Sequence, residues 1–107
     1  MSIHDVTRTL EMFMKEIGPE VQAVTMQAFL YVAEKGSCLQ TDVEADLKIS
    51  NSSSSRNVSF WTERRFDRQP GMGFIDRIPD DENRRLRRLT LTAKGKKFYA
   101  KIRQVTG

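Results

Sequence analysis

The sequence predicts a mainly α-helical domain carrying one small β-hairpin, and three observations predict it. Apolar residues recur at three- and four-residue spacing through most of the chain, the period of a helix with one buried face. Near residues 74–91 the pattern changes to alternation on both sides of the charged turn "DDENR", which marks a hairpin. Glycine and proline punctuate the boundaries, at Gly18 and Pro19, at Gly36, and from Pro70 to Gly73. With 107 residues, 38% apolar and 30% charged, the chain is expected to form a single domain, 1–107, around a modest core.

The first helix is expected over residues 1–17, capped by Ser2 or Asp5, with Val6, Leu10, Phe13, Met14 and Ile17 along one face. Gly18 stops it. Pro19 suits a first helical turn, so a second helix is expected from there to about Lys35, ended by Gly36. Its inward set is Val21, Val24, Met26, Phe29, Leu30, Val32 and Ala33. Cys38 and Leu39 read as a brief extended piece. Gln40 or Thr41 opens a third helix that turns Val43, Ala45 and Leu47 inward, and Lys48–Ile49 makes a tight turn.

The stretch "ISNSSSSRNVSF", residues 49–60, has the composition of a flexible linker. It reads instead as the start of a fourth helix. Ser50 is a good N-cap, serine is favoured in a first turn, and Val58, Trp61 and Phe66 supply an apolar stripe that a linker does not need. "RRFDRQPGMG" then breaks the helical pattern. "FIDRIPD" and "RRLRRLTLT" form the two strands of the hairpin, and a last helix follows Thr92, its cap, with Ala93, Phe98, Ile102 and Val105 inside.

Three helices followed by a basic hairpin is the order of a winged helix-turn-helix. Over about residues 19–102 the chain resembles the MarR family of bacterial transcription regulators. "MQAFLYVAEKG" resembles that family's second helix, "LQTDVEADLKISNSSSSR" its helix-turn-helix, and "GFIDRIPDDENRRLRRLTLTAKG" its wing. The wing is the more specific match, from Asn83 to Thr92 and Gly95. Three departures stand out. Asn83 replaces a usual aspartate, Ser54 replaces a usual apolar residue of the recognition helix, and "RRFDRQPG", residues 64–71, is an insertion between that helix and the wing.

The resemblance implies a DNA-binding regulator that works as a homodimer on a two-fold operator. The first helix is short and most of the family's C-terminal dimerisation helices are missing. Residues 1–17 and 93–107 are the expected dimerisation segments, because the leading apolar stripe has little of its own domain to cover it and two-fold pairing is the commonest solution.

The charges are unevenly placed. Residues 1–55 hold four Lys and Arg against eight acids, while residues 56–107 hold fourteen against six, for an overall net charge of +4. A basic half points to a polyanion, and the resemblance makes that partner double-stranded DNA. If Ser54, Val58 and Trp61 face the core, a 100° step per residue turns Ser52, Ser55, Arg56 and Ser59 outward. Asn51 and Ser53 flank them at the helix start. Short donors and acceptors there suit base edges in the major groove or adjacent phosphates, and Arg56 has the fork that pairs with a guanine. In the hairpin, Arg84 and Arg85 lie at the loop, with Arg87 and Arg88 on the returning strand. A narrow minor groove attracts inserted arginine. By resemblance, Arg85 matches the family's wing arginine. The competing reading has these arginines pairing only with Asp80, Asp81 and Glu82.

Two other functions fit the same elements: a winged-helix module that binds protein or serves replication, partition or phage assembly, and a nonspecific DNA-coating protein. Catalysis is not expected, since no hydrolytic triad or carboxylate pair is visible and "GMG", residues 71–73, lacks the lysine and helix of a phosphate loop. His4 has no evident partner, and no metal or cofactor is expected. Lone Cys38 forms no internal disulfide and fits a cytoplasmic protein; it reads as an oxidation sensor or, more simply, as a small packing residue. Met12, Met14, Met26, Phe13 and Phe29 line either an effector pocket or the core. No particular effector is indicated. Lys94, Lys96 and Lys97 solvate the last helix, with a phosphate contact as the alternative. No apolar run reaches the roughly 18 residues of a transmembrane helix, and the N-terminus lacks a secretory signal pattern.

Overall fold

A computed structural model describes residues 2–65 and 67–106. Five helices and three strands follow in the order α1 (Ile3–Glu16), α2 (Ala23–Lys35), β1 (Ser37–Leu39), α3 (Gln40–Leu47), α4 (Asn51–Ser59), β2 (Ile75–Pro79), β3 (Arg87–Leu91) and α5 (Ala93–Thr106). This is a winged helix-turn-helix, with the serine run inside α4. The expected contribution of Phe66 to the α4 stripe lies outside the described residues.

Both cap assignments on α1 hold together. Ser2 accepts the Asp5 backbone N–H while the Asp5 carboxylate accepts that of Ser2, so two otherwise unpaired donors are satisfied reciprocally. The second helix begins later than Pro19 implies. Pro19 and Glu20 form a turn in which Val21 N–H reaches the Gly18 carbonyl, and the backbone stays extended to Gln22. In α3, Val43 is buried and Leu47 half-buried, but Ala45 is exposed. The expectation was wrong on helical geometry: two residues apart is 200°, so Ala45 cannot share the face of Val43. Ala93 is likewise exposed. It sits in the first turn of α5, where Gly95 and Phe98 take the inner face.

The hairpin gains a third strand. β1 pairs antiparallel with β3, which also pairs with β2, giving the order β1-β3-β2. The Cys38–Leu39 segment therefore ties the start of the helix-turn-helix to the wing. Phe13, Phe29, Trp61, Phe74 and Phe98 form the centre of the core. Their rings meet mostly edge-on or offset, at centroid distances such as 5.0 Å for Phe29–Trp61 and 5.2 Å for Phe13–Phe98, pairs worth about 0.5–1.5 kcal/mol each beyond area burial. Trp61 has no orphaned donor, since its indole N–H reaches the Thr25 carbonyl at 2.7 Å. A Cβ on Gly95 would stand 2.1 Å from the Phe74 carbonyl oxygen. Only glycine lets α5 lie this close to the entry of β2.

Candidate nucleic-acid interface

α4 starts where the sequence places it. Ser50 Oγ accepts the Ser53 N–H at 3.1 Å, and Lys48 takes the left-handed conformation that turns the chain between α3 and α4. Ser54, Val58 and Trp61 are all fully buried. Serine at the usually apolar position 54 is tolerated because its hydroxyl lies 2.9 Å from the Asn51 carbonyl and 3.2 Å from Glu44 Oε2, so no buried polar group is left unpaired.

With those residues inward, Ser52 and Arg56 stand exposed on the opposite face. Asn51 is also exposed, with its amide donating to Glu44 Oε2 at 3.0 Å. Ser53 and Ser55 are half-buried on either flank. Ser53 Oγ accepts from Asn57 Nδ2 at 3.2 Å, and the Ser55 carbonyl accepts from Arg77 at 3.4 Å. Ser59 is the exception. The helix period turns it outward, yet it is 2% exposed. The helix ends there, Ser59 Oγ donates to the Arg56 carbonyl, and Thr62 returns to bond the Ser59 carbonyl through both N–H and hydroxyl. Ser59 therefore belongs to the end of the helix and not to its exposed face.

The wing arginines divide into two kinds. Arg88 Nε meets Asp80 Oδ1 at 2.8 Å, and its Nη1 donates to Ser37 Oγ at 2.9 Å. It joins the hairpin to β1. Arg84, Arg85 and Arg87 are exposed and make no side-chain ion pair or hydrogen bond among the described residues. Pairing with the local acids therefore accounts for one arginine of four.

Asp80, 6% exposed, shapes the tip by also accepting the N–H groups of Glu82 and Asn83. The Arg88 side chain, hydrogen-bonded to it, holds the Asp80 carboxyl below the usual carboxylate range. Asn83 supports the tip through the main chain, its Oδ1 accepting the Arg85 N–H at 3.2 Å.

Sequence reasoning missed Arg77. Half-buried on β2, it donates to both Gln40 Oε1 at 3.3 Å and the Ser55 carbonyl at 3.4 Å, holding the wing against α3 and α4. Burial, with Arg87 adding repulsion, lowers its pKa from the usual guanidinium value. The alternation of "FIDRIPD" gives no sign of this. Only the docking of hairpin against helix does.

Several solved structures share this arrangement. YusO from Bacillus subtilis matches with a TM-score of 0.69 at 15% identity, over 95% of this chain and 64% of YusO. A MarR mutant from E. coli, complexed with operator DNA, gives 0.68 at 12% identity over 96% and 69%. A transcriptional regulator from Thermotoga maritima gives 0.71 at 16% identity over 94% and 66%. The fold is the MarR winged helix.

The chain spans between 64% and 69% of the length of these three structures. No family model and no curated protein matches its sequence. Within the MarR-like frame the remaining candidates find simple places. Phe13 and Phe29 are core residues, Met12 and Met26 lie against that core, and Met14 is 49% exposed. Cys38 is buried, and burial, with Asp42 second, pushes its thiol up to about 11. That suits a packing residue and not a reactive thiolate. His4, Lys94, Lys96 and Lys97 are exposed, and among the described residues no group of His, Cys, Asp or Glu is arranged to hold a metal. No helix of the described residues is long and apolar enough to cross a membrane.

Proposed function

We propose that this MarR-like chain is a sequence-specific, double-stranded DNA-binding transcriptional regulator that acts as a homodimer. α4 enters the major groove, with Arg56 on a guanine and Asn51, Ser52, Ser53 and Ser55 on base edges or adjacent phosphates. Arg84, Arg85 and Arg87 of the wing enter the neighbouring minor groove. One observation supports the reading: three wing arginines stand exposed, without a side-chain partner among the described residues, beside a helix whose exposed face centres on Ser52 and Arg56. An unpaired guanidinium cluster next to an exposed helix start is the footprint of a phosphate-rich partner.

Footprinting on a duplex selected from genomic DNA by binding tests it. The protein should protect guanine N7 from methylation in the major groove and sugars from hydroxyl radicals in the adjoining minor groove. Arg56→Ala should lose the first protection and the Arg84→Ala, Arg85→Ala double variant the second. A selected duplex protected in neither groove contradicts the reading.

A further inference from the structure

We infer that the insertion after the recognition helix, residues 64–71, is a second DNA-backbone prong, set on the flank of α4 opposite the wing. This rests on the DNA-binding reading above. Ser52 and Arg56 mark the middle of the exposed face of α4. A 100° step places Ser55 on one side of them and Ser53, Asn57 and Phe60 on the other. Arg77 of β2 bonds the Ser55 carbonyl, so the wing occupies the first flank. The second flank borders an open groove of about 710 Å³ in which Ser53, Arg56, Asn57 and Phe60 face Arg65 and Asp67 of the insertion. Wing and insertion therefore straddle the recognition helix.

Backbone hydrogen bonds tie the described residues of the insertion together. Arg64 and Pro70 form an antiparallel bridge, Arg65 N–H reaches the Gln69 carbonyl at 2.8 Å, and Gly71 N–H reaches that of Glu63 at 2.9 Å. Its stem is fastened to the end of α4, where Met72 and Gly73 donate to the carbonyls of Phe60 and Thr62. A Cβ on Gly71 would stand 1.9 Å from the Thr62 carbonyl oxygen, so this close approach requires glycine. At the tip, Asp67 is committed internally, taking the Arg65 guanidinium at 3.0 Å and the Gln69 N–H at 3.1 Å.

That leaves Arg64 and Arg68 exposed, with no side-chain partner among the described residues. The one other acid, Glu63, sits at the stem. Every described residue from Glu63 to Pro70 is exposed, and none is a large hydrophobe. A phosphate backbone meets two free guanidinium groups there.

An Arg64→Gln, Arg68→Asn variant tests this directly. Asparagine is chosen because Arg68 has φ 66°, a left-handed conformation that asparagine accepts. Duplex affinity is measured across a salt series beside the intact protein and the Arg84→Ala, Arg85→Ala variant. The slope of log affinity against log salt should flatten by about 0.9 for each backbone cation lost, with the melting temperature unchanged. If the wing variant flattens the slope and the insertion variant does not, the insertion stands off the DNA and this inference alone falls. If the intact protein binds no duplex at any salt, the underlying reading falls and takes this one with it.

Discussion

Asp80 gathers three hydrogen bonds at the turn of the wing, from the Arg88 guanidinium and from two backbone N–H groups. Its carboxyl is held below the usual carboxylate range, so its contribution to stability is present above the unfolded value near about 3.9 and is lost as pH falls through the folded one. Asp80→Asn should therefore lower the melting temperature at neutral pH, and the difference from the parent should shrink as pH drops below about 4. Thermal melts from pH 7 downward check this; a difference that grows on acidification contradicts it. Arg56 is a different kind of arginine, exposed on the face of α4. Arg56→Ala should weaken specific binding by roughly 1–3 kcal/mol, the value of one bidentate base contact, and nonspecific binding much less. Equal losses in titrations with both duplexes would place Arg56 on a phosphate. At this scale the sequence was informative wherever a residue answers to local rules. Ser50 caps, Ser54 and Val58 turn inward and Arg56 outward because one helical turn fixes them. Ser59 was misplaced because its burial comes from chain folding back beyond the helix end, which no periodicity records.

At the scale of elements, the wing is held by its flanks and offers its tip. Replacing Arg84 and Arg85 together with alanine should change stability by under about 0.5 kcal/mol, as for exposed positions elsewhere, while the salt slope of DNA affinity flattens by roughly 0.9 for each lost contact. A melting curve and a salt titration on the same variant separate the two effects; an unchanged slope takes the wing off the DNA. Gly95 tests the opposite property, the fit of α5 against the sheet. Alanine in place of glycine inside a helix normally gains up to about 1 kcal/mol, but here its Cβ would meet the Phe74 carbonyl at 2.1 Å. Overpacking of that kind costs about 1–3 kcal/mol, so Gly95→Ala should lower the midpoint of chemical denaturation. A raised midpoint would mean α5 slides away at no cost. The order of elements was legible because period, caps and breakers agree along the chain. The β1–β3 pairing was not, since a three-residue strand carries too little alternation to announce its partner. Arg77 was hidden too, because its partners lie on α3 and α4, where the hairpin docks.

At the scale of the molecule, α1 packs along α5 yet leaves Ile3 83%, Val6 43%, Leu10 43% and Met14 49% exposed. A stripe of that kind on one helix marks a surface meant for covering, and the proposal covers it with a second copy. The intact protein should sediment as a dimer at micromolar concentration, and Leu10→Glu with Met14→Glu should yield a folded monomer. A monomeric parent, free and on DNA, contradicts this. Two copies would present two α4 helices and two wings, which is how a short polar helix face reads an extended site. The central claim is that the site is read by sequence and not merely coated. It is tested most directly by measuring affinity for a selected genomic duplex and for random duplex at one fixed salt concentration. The account predicts that the selected duplex binds at least about 10³-fold tighter, the lower end for specific recognition, and that Arg56→Ala removes much of the gap. Equal affinity for both duplexes would contradict it and leave a protein that coats DNA without reading it.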